Sequence, residues 1–429
     1  MTTSQGKRPW FSSQREHITG NPSLDGRADV EKIQLEEELA FRLIAVRAVR
    51  ARERDRIREL AASVDQRSLA RWLSRERLLV LAGSRLFDVA GDAVGPELAA
   101  QVESARREAM PRYLLGAYRS REFCRLMEGA GIRALSLKGP LLAERAHADP
   151  TLRAPSVDLD FLVAPTQLDR AVRLFRGLGY EVEDDSIWTN GLPHYHYALR
   201  SRAPGYPRIE LHWRIHWHEY EYTQRVLDRS TVARDGVRWP TPADDLAMLL
   251  IIYARDGFLG LRFPADIGAW WDAAGEVVGP GGLDPILTEN PGLRPALMAG
   301  LRVARDVVGL PSERLALSHW RSSRRASYAP TLLNWRRRGT LAQIRLNVML
   351  VDLLLSPPAA LPVFLRHYYF QPVSKYVRDY GWRPERVILN RWRRRLHALA
   401  RLVKSVRGFS SALVSLRRHG TIDPLPARA

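Results

Sequence analysis

Val157-Asp158-Leu159-Asp160-Phe161-Leu162-Val163 alternates apolar and acidic side chains near the middle of a chain of 429 residues. This alternation predicts a strand with Asp158 and Asp160 on one face and Val157, Leu159, Phe161 and Val163 on the other. Adjacent carboxylates repel each other and are stabilised by a divalent cation. Hard oxygen ligands favour Mg²⁺ or Mn²⁺ over zinc. Asp-x-Asp alone is a common pattern, and an exposed acidic strand end is the plainer interpretation.

A second motif, Leu135-Ser136-Leu137-Lys138-Gly139-Pro140, precedes the first by about 20 residues. Residues 132–137 are predicted as a buried strand and residues 141–148 as a helix. A glycine between a strand and a helix lets backbone N–H groups approach a phosphate, and Lys138 adds a positive charge. Arg153 is a candidate to hold a phosphate or to orient Asp158 through a bidentate pair. An ordinary turn and a surface arginine are the alternatives.

A third motif is Arg208-Ile209-Glu210-Leu211-His212-Trp213-Arg214-Ile215. Its alternation places Glu210 and His212 on a polar face and directs Ile209, Leu211, Trp213 and Ile215 to the core. If this strand neighbours the first one, Glu210 is a third carboxylate, either a metal ligand or a base for an acceptor hydroxyl. A solvated glutamate on an open sheet face is the alternative. Residues 194–200 and 208–217 are predicted to pair as a hairpin.

The predicted strands cluster in a core of about 110 residues, the usual size of one domain. We expect residues 1–27 to be disordered and residues 28–110 to be helical. The core is assigned to residues 111–240, with a helical region over 241–330 and a basic helical region over 331–429.

The order of these motifs resembles the uncharacterised bacterial nucleotidyltransferase family of the DNA polymerase β-like superfamily. The resemblance spans residues 110–275, where Arg262 and Asp266 look like a later helical motif of the family. It implies an α+β fold, with a small mixed-sheet polymerase β-like core flanked by mainly α-helical N- and C-terminal regions. It also implies metal-dependent transfer of a nucleoside monophosphate from an NTP, with Asp158 and Asp160 as ligands and Glu210 as the third carboxylate. Lys138-Gly139 stands where the superfamily more often has Gly-Ser.

The resemblance leaves the acceptor open between a small molecule, a peptide natural product and an RNA. A tRNA-modifying toxin-type enzyme and a non-catalytic nucleotide- or RNA-binding protein are the alternatives. Several histidines fall near the third motif, and His196 and His212 are candidates for acceptor contacts or for supporting the carboxylates. The same histidines could bind zinc or make structural hydrogen bonds; the group is His194, His196, His212, His216 and His218.

A net charge of +19 indicates an anionic partner, although the predominance of arginine over lysine is also typical of a GC-rich coding sequence. Residues 386–418 predict a basic amphipathic helix that grips RNA, lies on an anionic membrane surface or packs on the helical domain. Cys124, the single cysteine, is expected in the core. The chain shows no secretory signal, and its longest apolar stretch, 348–365, is interrupted by Asp352 and prolines, so we expect a cytoplasmic protein without a membrane span.

Overall fold

The computed structural model describes residues 27–183, 188–189, 192–193, 195–219, 221–317, 320, 329 and 341–364, and parts of 383–403. The stretch predicted to be disordered therefore lies, apart from Arg27, outside the described residues. So do His194 and most of the C-terminal region.

A five-stranded mixed sheet lies at the centre of the fold, with the strand order β1-β2-β7-β6-β3. Strands β2 and β7 pair in parallel, and the other neighbours are antiparallel. Two short ribbons, β4–β5 and β8–β9, lie beside it. The strands are β1 Ala134–Ser136, β2 Asp158–Val163, β3 Tyr180–Val182, β4 Trp188–Thr189, β5 Leu192–Pro193, β6 His196–Ser201, β7 Arg208–His212, β8 Thr231–Val232 and β9 Arg238–Trp239.

Helices precede and follow the sheet, as the spacing of apolar residues predicts. The N-terminal ones are α1 Arg27–Ile44, α2 Arg47–Arg52, α3 Arg54–Ser63, α4 Gln66–Arg75, α5 Leu79–Ala90 and α6 Pro96–Gly129. Three helices lie among the strands: α7 Pro140–Ala146, α8 Leu168–Gly177 and α9 Tyr222–Arg229. The later ones are α10 Pro242–Arg255, α11 Arg262–Val278, α12 Asp284–Glu289, α13 Arg294–Val308 and α14 Leu341–Leu355. No helix of the described part of the chain is both long and apolar enough to cross a membrane.

Local chemistry explains several helix ends. Helix α6 ends before Gly131, whose φ of 68° is left-handed and whose N–H bonds to the carbonyl of Glu128, as expected of a glycine C-cap. Helix α10 begins after Thr241, whose Oγ1 accepts a hydrogen bond from the N–H of Asp244, with Pro242 at the first position. These residues therefore account for the positions of the two helix ends.

The sheet separates two hydrophobic cores. On one face, β2 and β7 pack against α6 and α8 through a core that includes Phe161, Leu211, Phe123 and Phe175. Cys124 is buried in this core, as predicted. The second core joins helices from both ends of the chain, because α1, α5, α10, α11 and α13 all contribute to it. The two helical regions that flank the strands in sequence thus share one apolar interior.

Two details differ from the predictions. Strand β7 ends at His212, and Trp213, Ile215 and Trp217 are buried in the irregular segment that follows it. Its partner β6 begins at His196, opposite His212, and beyond this pair only the N–H of Trp213, which donates to the carbonyl of Tyr195 at 3.0 Å, continues the ladder within the described residues. Val157 is also not a core residue: it precedes β2 and is 74% exposed.

Candidate active site

The register of β2 and β7 brings two predicted site residues together. Asp160 lies directly opposite Glu210, and Leu159 lies opposite Ile209. Leu159 and Ile209 point into the core shared with α6 and α8, so Asp160 and Glu210 share the other face. Both acids are buried, with 2% and 8% of their surface exposed. Burying carboxylates is unfavourable unless charged or hydrogen-bonding groups surround them, and the neighbouring residues supply such groups.

Lys138 supplies the first of these groups. It follows β1, and its Nζ lies 3.1 Å from Oδ1 of Asp160. The backbone supports this approach, because the N–H of Leu137 donates to the carbonyl of Asp160 at 3.0 Å. Burial lowers the pKa of Lys138, but the carboxylates of Asp160, Asp256 and Glu210 together raise it above its usual value. The lysine is therefore held as a cation at the carboxylate pair.

Two imidazoles lie on the other side of Glu210. His212 Nε2 is 3.1 Å from Asp160 Oδ1 and 3.5 Å from Glu210 Oε2. His196, opposite His212 in the β6–β7 ladder, places Nε2 3.8 Å from Glu210 Oε1. Burial raises the pKa of Glu210, but His196, His212 and Lys138 together hold that pKa well below its usual range. Glu210 is therefore kept ionised.

Asp158 occupies the exposed end of the cluster. It is half-buried at the start of β2 and accepts a hydrogen bond from Ser156 Oγ at 2.9 Å. Burial, with repulsion from Asp160 and Glu210, raises its pKa. The face thus concentrates negative charge at the end where solvent reaches it. An arrangement of this kind attracts a cation or a cation-bound ligand.

One family of sequences matches this chain: the model described as uncharacterised nucleotidyltransferase covers residues 62–309. That stretch is more than half of the 429 residues. The chain belongs to this family. The family domain includes the whole sheet and helices α4 to α13, so it is wider on both sides than the resemblance noted over residues 110–275. No curated protein and no solved structure matches the chain.

Within the nucleotidyltransferase domain, Arg153 lies away from the carboxylate cluster. It is buried and pairs with Asp266 of α11, donating from Nε and Nη2 at 2.9–3.0 Å. Its Nη1 donates to the carbonyl of Gly139 at 3.4 Å. Burial raises the pKa of Asp266, but Arg153, His147 and Arg262 together hold that pKa far below its usual range. The bidentate pair foreseen for Arg153 is thus formed with Asp266 instead of Asp158.

This ion pair fixes the turn that carries Lys138. Gly139 has a φ of 77°, which favours glycine, and a Cβ added there would face open space. The next residue, Pro140, has no N–H, and α7 has only seven residues. The phosphate grip that the strand–glycine–helix pattern predicts therefore depends chiefly on the Lys138 side chain and the Gly139 backbone.

Sequence reasoning missed three further residues of the site. Arg208 donates to Glu210 Oε1 at 2.7 Å and lies 3.6 Å from Asp158 Oδ2. The ring of Tyr195 stacks on the ring of His212, with 5.8 Å between the ring centroids. The guanidinium of Arg255, at the end of α10, lies 4.4 Å from the centroid of the Tyr195 ring. Arg208 was detectable, because alternation places it on the face of Glu210. The Tyr195–Arg255 contact joins distant parts of the chain and has no local signal.

Proposed function

We propose that this protein transfers a nucleoside monophosphate from an NTP to an acceptor, on a polymerase β-like core. The observation that carries the proposal is the pairing of Asp160 with Glu210 across β2 and β7, with Asp158 on the same face. Three carboxylates converging beside a lysine fit the needs of metal-assisted phosphoryl chemistry. Membership of the nucleotidyltransferase family supports the same reaction class.

The donor set fits a divalent cation. Asp158, Asp160 and Glu210 would hold Mg²⁺ or Mn²⁺, which, when bound, neutralises the triphosphate and polarises the α-phosphoryl group. Lys138 and the Gly139 backbone would bind phosphate oxygens, and the Arg153–Asp266 pair keeps that turn in place. Arg208 and His212 orient the Glu210 carboxylate.

Arg262 is a further candidate for the triphosphate. Its Nη2 donates to the Ala154 carbonyl at 3.0 Å, and its buried Nε has no hydrogen-bond partner in the described part of the chain. Burial, with repulsion from Arg153 and Arg77, holds the pKa of Arg262 well below its usual range. An anion bound beside it would relieve this repulsion, and the place lies just before Asp158 in the chain.

The transfer itself joins an acceptor oxygen to the α-phosphorus while the bond from that phosphorus to the bridging oxygen of pyrophosphate breaks. Pyrophosphate leaves with the bonding electron pair. The proton of an acceptor hydroxyl passes to a carboxylate of the cluster and then to solvent. The acceptor is a small molecule, a peptide or an RNA, and genome neighbourhood is the quickest way to choose between them.

Calorimetry of NTP binding with and without Mg²⁺ tests the proposal before any acceptor is known. We expect binding that needs the cation and is lost in the Asp158→Asn/Asp160→Asn protein. The matched control is Asp169→Asn, which removes an exposed acid at the start of α8. Binding that persists without the cation, or that survives the double substitution, would favour a non-catalytic nucleotide-binding protein. Specific binding of tRNA alongside NTP would favour a tRNA-modifying enzyme.

A further inference from the structure

Two imidazoles reach the carboxylate pair, and they set this site apart from a purely oxygen-lined one. The Nε2 atoms of His196 and His212 lie 3.8 and 3.5 Å from the two carboxylate oxygens of Glu210. One nitrogen or oxygen atom from each of His196, Glu210 and His212 falls within 4.8 Å of the others. All three residues are at least half-buried, so the cluster is part of the protein interior and not a chance grouping of surface acids.

The spacing of these atoms suits direct coordination. Ligand atoms about 2.1 Å from a tetrahedral ion lie roughly 3.4 Å apart. The distances from Glu210 Oε2 to His212 Nε2 and from Glu210 Oε1 to His196 Nε2, 3.5 and 3.8 Å, are close to that value. An ion could therefore enter between the side chains with only small movements. Lys138 lies on the Asp160 side, so the favoured position is between Glu210 and the two histidines.

We propose that His196, Glu210 and His212 bind a first-row transition ion, Mn²⁺ or Zn²⁺, in preference to Mg²⁺. Imidazole nitrogen binds such ions well, whereas Mg²⁺ strongly prefers oxygen ligands. Any role of this ion in nucleotidyl transfer rests on the proposed function, but the binding of the ion to these three side chains does not. The inference therefore goes beyond the Mg²⁺ or Mn²⁺ choice that the carboxylates alone leave open.

Metal content after competitive dialysis tests this inference without nucleotide. The full-length protein, stripped with a chelator, is dialysed against Mn²⁺ or Zn²⁺ with excess Mg²⁺, and bound metal is measured by mass spectrometry. We expect about one transition ion per chain and at least a tenfold weaker affinity in His196→Gln. His397→Gln is the control, because it removes a histidine from the C-terminal segment, far along the chain from the sheet.

Retention of Mg²⁺ alone, or transition-metal binding that His196→Gln leaves unchanged, would overturn the inference. Thermal unfolding of His196→Gln with and without added metal separates lost binding from lost folding. If a transition ion binds but no NTP does, the metal site stands and the proposed function fails. If NTP binding needs only Mg²⁺ and no transition ion binds, the proposed function stands and the transition-metal site fails.

A second inference rests on a different part of the molecule, the C-terminal segment. Residues 389–397 and 399–400 are helical, and apolar side chains recur along them at spacings of three and four. These side chains are exposed: Leu389 39%, Trp392 60%, Leu396 63%, Leu399 58% and Val403 42%. On the opposite side, Asn390 is buried and its Nδ2 donates to the carbonyl of Arg383. Packing of the apolar stripe on the helical body, one of the three predictions for this segment, is not what the described residues show.

We infer that this stripe, which we call the 389–403 stripe, inserts into an anionic membrane surface. Exposed arginines at 391, 393 and 395 flank it, and residues 386–418 contain no acid. Arginines beside a Trp–Leu stripe suit a helix lying in the headgroup region, where phosphates meet acyl chains. An RNA ligand would use the arginines but would leave the apolar stripe without a role.

Vesicle flotation tests this inference with the full-length chain. We expect the protein to float with phosphatidylglycerol-containing vesicles but not with phosphatidylcholine alone. Replacing Trp392, Leu396 and Leu399 with serine should weaken binding at least about tenfold. The control replaces Leu114 and Leu115 with serine, since these exposed residues of α6 lie outside the basic segment. Absence of flotation would overturn the inference. So would binding of RNA instead of vesicles, if the triple serine variant binds RNA as well as the wild type does.

Discussion

Two buried groups of charges lie on either side of the Lys138–Gly139 turn, and they are built differently. At Asp266 one carboxylate accepts from Nε and Nη2 on one edge of the Arg153 guanidinium. On the sheet, three carboxylates share Lys138, Arg208 and two imidazoles at 2.7–3.8 Å. The first group is complete as it stands. The second has more negative groups than fixed cations, which is the arrangement expected where a ligand supplies the missing charge.

The largest expected effect is on the complete pair. Asp266→Asn leaves the buried Arg153 guanidinium without a charged partner, which should lower the free energy of unfolding by about 3–5 kcal/mol. Urea denaturation followed by circular dichroism measures it. Asp160→Asn is the comparison and should change stability by no more than about 1 kcal/mol, because losing the attraction to Lys138 is offset by less repulsion from Glu210. Equal losses in the two variants would contradict the distinction drawn between the groups.

Another buried carboxylate sharpens the comparison, because among the described residues it forms no ion pair with a lysine or arginine. Asp352 of α14 accepts a hydrogen bond from Trp217 Nε1 at 2.9 Å and faces His216 Nε2 at 3.3 Å. Burial raises its pKa to about 7, although the hydrogen bond from Trp217 and the charge of Arg255 act to lower it. The folded protein therefore holds this proton more tightly than the unfolded chain does. Protonated Asp352 therefore adds to the free energy of unfolding. This contribution is fully present below pH about 4 and is lost as the pH rises to about 7.

Asp352→Asn should remove this dependence, which amounts to about 1.4 kcal/mol for each pH unit between roughly 4 and 7. The measurement is urea unfolding of both proteins across that range. The asparagine oxygen can still accept from Trp217, so the hydrogen bond is retained. A variant whose stability falls with pH as steeply as that of the wild type would contradict the assignment.

A smaller effect is expected at Arg208, the cation that the carboxylate cluster shares with Glu183. Arg208→Met should reduce nucleotidyl transfer about tenfold, since Glu210 loses a charge-assisted hydrogen bond worth roughly 1.5 kcal/mol. Steady-state rates measure it once an acceptor is known. Arg200→Met, on the exposed part of β6, is the control and should retain full activity.

The smallest effect is expected at an ion pair outside both groups. Arg202 and Glu181 lie 3.3 Å apart, with 87% and 67% of their side chains exposed. Solvent screens such a pair, so Arg202→Ala should change the free energy of unfolding by no more than about 0.5 kcal/mol. If Arg202→Ala lowered the free energy of unfolding as much as Asp266→Asn does, solvent exposure would not explain the difference between the Arg202–Glu181 and Arg153–Asp266 pairs.

Local patterns predicted the parts of the fold in which neighbours in sequence decide the structure. Alternation identified β2, and it identified β7 as far as His212, together with the β6–β7 hairpin. Glu210 was expected to join the two aspartates only if its strand lies beside β2, and in the structure β2 and β7 are neighbours. The catalytic and binding roles assigned to Asp158, Asp160, Glu210 and Lys138 stay predictions.

Contacts between distant segments could not be predicted in the same way. The partner of Arg153 lies 113 residues away, and nothing in the chain around Arg153 indicates whether its guanidinium meets Asp158 or Asp266. The end of β7 was misplaced for a related reason. Trp213, Ile215 and Trp217 are buried, as alternation predicts, but His212 and His216 are buried as well, and the described β6–β7 pairs end at His212. Burial follows the tertiary packing there, and the two-residue period is not evidence of a ladder.

The parallel ladder between β2 and β7 also bears on how this family can diverge. Asp160 and Glu210 are held opposite each other by backbone hydrogen bonds, and the chain between them makes an excursion through α8, β3 and the β6–β7 hairpin. Insertions or deletions in the loops of that excursion leave the two acids in place as long as the ladder persists. Members of the family can therefore differ in this segment while keeping the pair of carboxylates in register.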